Sequence, residues 1–204
     1  MTDEKFIYPA ITALIFCALF PSYWIWFATS GFDLPGYGLP SRSNLEFDFF
    51  LWLALGLMLF YIYLSLKRIL PVLHNYSRLT IPLYFAIGST IFMFGGIAIL
   101  EIILVGFGGS LSKPTSEMIL GGIAVIFLSG IIIQGVIDIL IGAILLRDSQ
   151  DLPNILTIFA MITLINGILG ATVLLAIGNI VITPLSFLVL AVYFLKRPEI
   201  IDVV

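Results

Sequence analysis

Asp138 is the residue with the clearest capacity for chemistry in this sequence. It sits in "GVIDILIGAILLR", Gly135 to Arg147, among residues that would dissolve in oil. A carboxyl group there can accept hydrogen bonds and, when protonated, donate one. Acids inside apolar spans serve as polar glue between helices or as proton and cation stations on a transport path. Spacing selects the groups that can work with it. Gln134 lies one helical turn before Asp138, and Gly130, Gly135 and Gly142 share their face. The opposite side carries Ile132, Ile133, Val136, Ile139, Leu140 and Ile144. The next apolar run divides the same way. Asn166, Thr163, Gly167, Gly170, Ala160 and Ala171 gather on one side, with Ile158, Ile162, Ile165, Ile168 and Leu169 on the other.

The connection "RDSQDLPN" between these runs is short, so the two helices are expected to be antiparallel neighbours. Small residues let their backbones approach, and polar ones bond across the gap. Counting inward from Leu146 and Ile155 puts Asp138 level with Thr163, with Asn166 about a turn deeper and Gln134 facing Gly167. Asp138, Gln134, Thr163 and Asn166 therefore form the expected polar cluster. Glu101 is a second buried acid, displaced toward the other membrane face. About 20 Å of depth separates it from Asp138 by helix rise, so the two cannot form a dyad. Glu101 is expected to reach outer water near "GFGGSLSKPTSE" and pair with Lys113; the other reading is a two-station relay with Asp138.

Other chemistries lack their parts. His74 and Cys17 are the single histidine and cysteine. A haem held by two histidines, a histidine-rich metal site, a Ser-His-Asp triad and an intrachain disulfide all need more. No metal, no cofactor and no catalytic residue set is expected. No basic run long enough for nucleic acid occurs.

The elements that must position these groups follow from composition. Of 204 residues, 61% are hydrophobic and 10% charged, and the mean hydropathy is +1.18. Soluble domains carry about 25% charged residues, so an integral membrane protein is expected, in the cell membrane. The start "MTDEK" lacks the positive region of a signal peptide, so the first apolar run reads as a retained span. A span takes about 20 apolar residues. Six are expected, at residues 6–29, 49–66, 81–107, 118–146, 155–177 and 180–195. The last two divide an uncharged stretch at Gly178-Asn179. Pro184 makes the last span short, and a re-entrant piece is the alternative. Pro21 is expected to kink the first span. Gly88 and Gly95 read as close-packing positions in the third.

Loop charges set an orientation. With both termini cytoplasmic, Lys5, Lys67, Arg68, Arg78, Arg147, Lys196 and Arg197 lie inside, against Arg42 and Lys113 outside. Tyr23, Trp24, Trp26 and Trp52 then belong to the outer interface, and Tyr61, Tyr63, Tyr84 and Tyr193 to the inner one. "NYS" at 75–77 matches a glycosylation sequon on the cytoplasmic side; a glycan there would invert the topology. The segment from Ser30 to Asp48, rich in glycine and proline, reads as an outer cap. The fold expected is one all-α polytopic membrane domain over residues 1–204. Three functions fit it: a non-catalytic accessory subunit of a larger membrane complex, a small transporter or channel using Asp138, or a lipid-acting intramembrane enzyme. Membrane lipids and other membrane subunits are the expected partners.

Overall fold

A computed structural model describes residues 4–29, 47–74, 77–107, 110–147, 152–172 and 175–196. Nearly all of the expected outer cap, the first two residues of the sequon and half of the "RDSQDLPN" connection lie outside these residues. The described residues form six helices: α1 (Glu4–Thr29), α2 (Phe47–His74), α3 (Thr80–Phe107), α4 (Lys113–Arg147), α5 (Asn154–Ala171) and α6 (Asn179–Leu195). The first five are long and apolar enough to cross a membrane; α6 has 17 residues. At the helical rise this is roughly 25 Å, slightly short of the hydrocarbon thickness.

Several boundaries differ from the sequence expectation. Helix α2 runs past Lys67 and Arg68 to His74. Both residues are good helix formers, and charge alone does not stop a helix. The Lys67 ammonium settles 3.7 Å above the Tyr84 ring of α3, a cation–π contact at the end of the pair. Helix α4 begins at Lys113, five residues before the expected Met118. Helix α5 ends at Ala171, six residues short of the expected Ile177. The Thr172 hydroxyl turns back onto the carbonyls of Ile168 and Leu169 (3.1 and 3.0 Å), occupying acceptors at the helix end. A 3₁₀ turn, Ala176–Gly178, then delivers Asn179 as the first residue of α6. Helix α1 continues through both Pro9 and Pro21.

Helix α3 contains an irregularity. Its α-helical turns, Thr80–Thr90 and Gly96–Phe107, are joined by a π turn at Ile91–Gly95. The expected close packing at Gly88 and Gly95 does not occur. A side chain at Gly88 would meet open space, and one at Gly95 only Ile91 of the same helix. The close approaches are made by the π turn's own side chains. Met93 lies against Gly130 of α4, and Phe94 fills the space over Gly56 of α2.

The helices pack as a closed ring in chain order, with α6 returning to α1. Helices α4 and α5 share the most extensive contact, and α1 with α6 the next. Cys17 of α1 donates from its thiol to the Pro184 carbonyl of α6 (3.0 Å), tying the ring shut. The outside of the ring is apolar. Ile132, Ile133, Val136 and Leu140 of α4 and Ile158, Ile165 and Ile168 of α5 are all exposed there.

Candidate functional site

The seam of α4 and α5 places the polar residues. Gly135, Gly142 and Gly167 sit where no side chain fits. A Cβ on Gly167 would lie 2.6 Å from the Gly135 carbonyl oxygen, and one on Gly142 2.8 Å from that of Ala160. Real Cβ atoms do not come so close to backbone, so glycine sets the separation of the two helices. That separation lets short side chains bridge them. Asn166 Nδ2 donates to Asp138 Oδ2 at 2.9 Å. Gln134 Nε2 donates to Asp138 Oδ1 at 3.1 Å along the helix face. Asp138 is 5% exposed.

The network continues beyond these helices. The same Gln134 amide nitrogen donates to the Tyr63 hydroxyl of α2 (2.6 Å), and Tyr63 in turn faces the Asp138 carboxyl as a hydrogen-bond donor. Ser89 of α3 donates to Gln134 Oε1 (2.7 Å). On the other side, Thr183 of α6 donates to Asn166 Oδ1 (2.7 Å). One chain of hydrogen bonds thus joins α2, α3, α4, α5 and α6.

Thr163 is buried but does not reach Asp138. It shares a hydrogen bond with Ser186 of α6 (3.1 Å). Gln134 does not face Gly167; it points toward α2 and α3, while Gly135 meets the Gly170–Ala171 backbone. Glu101 is half-buried in the second half of α3, within electrostatic range of Tyr23. Lys113 lies 4.0 Å from Glu117 on its own helix, both exposed.

Tyr63, Ser89, Thr183 and Ser186 are the members that sequence reasoning missed. The inner aromatic belt is the expected place of Tyr63, yet it is 6% exposed and lines the cavity. Trp52, also assigned to a belt, is buried and stacked on Phe94 with ring centroids 4.2 Å apart. The adjacent hydroxyls of Ser89 and Thr90, mid-way along an apolar helix, were the available signal for α3.

The network forms part of the wall of a partly open cavity of about 560 Å³ between the helices. All six helices line it, with aliphatic, polar and aromatic side chains, the aromatic ones including Phe16, Trp24, Phe94, Phe127 and Phe187. Two buried polar atoms of lining residues have no hydrogen-bond partner: Trp52 Nε1 and Asn179 Oδ1. Among the described residues no three His, Cys, Asp or Glu side chains gather as metal ligands would. Both Asp138 oxygens face N–H donors, an arrangement suited to holding helices and not to coordinating a bare cation.

Comparison with known proteins returns no relative: no family model matches the chain, and neither a curated protein nor a solved structure matches it.

Proposed function

We propose that this protein is a non-catalytic integral membrane protein that takes a small, largely apolar molecule into the cavity between its helices, as a binding protein or carrier. The observation that carries this reading is the cavity itself. Its volume falls in the roughly 300–1,000 Å³ range of small-molecule sites, and its walls are apolar with a few placed polar groups. In this reading the Asp138 network positions the walls: it fixes five helices around the space they enclose. The orientation that the loop charges favour puts both termini in the cytoplasm and the Lys113 end outside, with the cell membrane as the setting.

The test is what the purified protein retains. Protein in mild detergent is extracted with organic solvent, and the extract is compared by mass spectrometry with that of Ile131→Phe, a substitution that fills the cavity. Retention of one class of molecule near one per chain, lost in the variant, supports the reading. Identical extracts from the two proteins overturn it.

A second reading, an accessory subunit within a membrane complex, draws on the same network. The carboxyl group is satisfied within the chain, as a purely architectural clasp would be. It predicts that other membrane proteins travel with the chain in native purification, and that Asp138→Leu releases them.

A further inference from the structure

The depth of the turn between α5 and α6 decides how an occupant reaches the cavity. Charge fixes α4 across the bilayer. Glu117, beside Lys113, and Arg147 mark its two ends. By helix rise they stand about 45 Å apart, which matches the roughly 40–45 Å of a bilayer with its headgroups. The midplane then falls at Ile132.

Helices α5 and α6 meet near that midplane. The end of α5 lies against α4 at Gly135, whose missing side chain makes room for the Gly170 and Ala171 backbone. A Cβ on Gly170 would lie 3.5 Å from the Ile131 carbonyl oxygen and 3.1 Å from Asn179 Nδ2. The last turn of α5 and the first residue of α6 therefore share the level of Ile131 and Gly135. Residues 172–178 join them. Stretched out and back, a link of that length reaches about 12 Å at most, whereas Ile131 lies about 21 Å below Glu117 by helix rise. The 3₁₀ turn at its end folds back onto α5: a Cβ on Gly178 would lie 3.1 Å from Leu169 Cδ1. Helices α3 and α4 continue outward together, and a Cβ on Gly122 would lie 3.4 Å from Leu100.

The chemistry of the turn suits this depth. No charge occurs from Ile155 to Leu195, and turns that meet water are ordinarily polar. Leu175 and Ile177 are exposed, as are Ile102 of α3 and Met118 and Val125 of α4, which lie farther out. These apolar surfaces belong in hydrocarbon. Irregular backbone is tolerated there where it lines a cavity and its polar groups are bonded. Ile177 lines the cavity, Gly178 N–H donates to the Leu175 carbonyl (2.9 Å), and Thr172 occupies carbonyls at the end of α5.

The cavity opens at the same place. Among the described residues that line it, Leu128 of α4 and Ile177 are exposed, whereas Asp138, Ile141, Phe159 and Ser186 toward its other end are buried. Leu128 lies about 16 Å below Glu117 by helix rise, so the opening faces acyl chains and not water. We infer that α5 and α6 form a re-entrant hairpin whose turn stays inside the bilayer, and that the cavity beside it admits a hydrocarbon chain sideways from the leaflet on the Lys113 side. The hairpin rests on geometry alone; the occupant rests on the binding function proposed above.

Two measurements on the full chain in phosphatidylcholine nanodiscs test this. The first is depth. In a Cys17→Ser background, a nitroxide on Ile177→Cys is compared with one on Lys113→Cys by power saturation with oxygen and with a water-soluble nickel chelate. The label at Ile177 should collide with oxygen and exclude nickel, reporting a position roughly 10 Å or more below the label at Lys113. Ile177 is 79% exposed, so burial within protein does not mimic this result. Nickel access equal to that at Lys113 overturns the hairpin.

The second is access. With Trp24→Phe and Trp26→Phe, Trp52 is the sole tryptophan, buried in the cavity wall. Bromine quenches tryptophan on contact. Phosphatidylcholine brominated in mid-chain should quench most of the Trp52 emission, and aqueous acrylamide should not. Ile131→Phe, or Leu128→Phe at the exposed entrance, should restore the emission. Quenching by acrylamide alone, lost in Ile131→Phe, keeps a binding cavity and overturns its entrance from lipid. Bromolipid quenching that ignores both substitutions overturns the entrance as the route. Quenching by neither probe overturns the entrance, and identical solvent extracts from the parent and Ile131→Phe remove the binding function as well.

Discussion

Asn166→Leu is the most informative single perturbation of the network, because Asn166 both gives and receives. Its amide donates to Asp138 Oδ2 and accepts from Thr183. The substitution removes both bonds. Measured hydrogen bonds between membrane helices average about 0.6 kcal/mol each, so their direct loss is worth about 1 kcal/mol. It also leaves a buried carboxyl oxygen without its donor, which adds about 1–3 kcal/mol. The expected destabilisation is about 2–4 kcal/mol. Asp138→Leu should cost a similar amount, since it orphans the Asn166 and Gln134 N–H groups that aim at it. The double variant should cost less than the two together by about 1–2 kcal/mol, because removing both partners leaves no orphan on either side of their shared bond. Reversible unfolding in mixed micelles, followed by far-ultraviolet circular dichroism and checked by steric trapping, measures all four corners of the cycle. Additivity within about 0.5 kcal/mol would show that the carboxyl and the amide do not interact, and the clasp joining α4 to α5 would be wrong.

The glycines of the ring should divide sharply. Gly135→Ala puts a methyl against the Ala171 and Gly170 backbone and should cost about 2 kcal/mol or more in the same unfolding assay. Gly88→Ala meets open space and should be neutral, or stabilising by up to about 1 kcal/mol through helix propensity. Equal effects at the two positions would contradict the seam. Orientation is measurable with a membrane-impermeant maleimide on intact cells, in a Cys17→Ser background. Lys113→Cys should label and Arg147→Cys should label only after lysis; the reverse pattern inverts the topology.

Much of the fold was legible because hydrocarbon imposes a coarse rule. Long uncharged runs must be helices, and the short link between α4 and α5 makes them antiparallel. The Asp138–Gln134 contact follows from one helical turn of spacing, and Asn166 from counting inward along two neighbours. The same count misassigned Thr163 by about a turn. Counting from the observed ends, Arg147 and Asn154, returns the same pairing; the seam itself is offset, with Asp138 meeting Asn166 and Gly142 meeting Ala160 and Leu164. That offset leaves Thr163 to Ser186. Tyr63 was hidden for a different reason. A tyrosine four residues from Lys67 looks like an interfacial anchor, and only tertiary packing turns it inward. The π turn at Ile91–Gly95 left no compositional mark, since it differs from its flanks in hydrogen-bond register alone. The return of α6 to α1 joins the ends of the chain, and no local pattern encodes so distant a meeting.

That meeting has a consequence for how the protein comes into being. During synthesis, five helices enter the bilayer before the sixth exists. Until α6 arrives, the future cavity is a groove open to acyl chains on the side α6 will cover, and Asn166 has no Thr183 to satisfy its carbonyl. The shortest helix is therefore the keystone. A chain halted before Asn179 would hold most of the protein's mass yet leave its ring open, and lipid would lie against residues that the finished bundle buries.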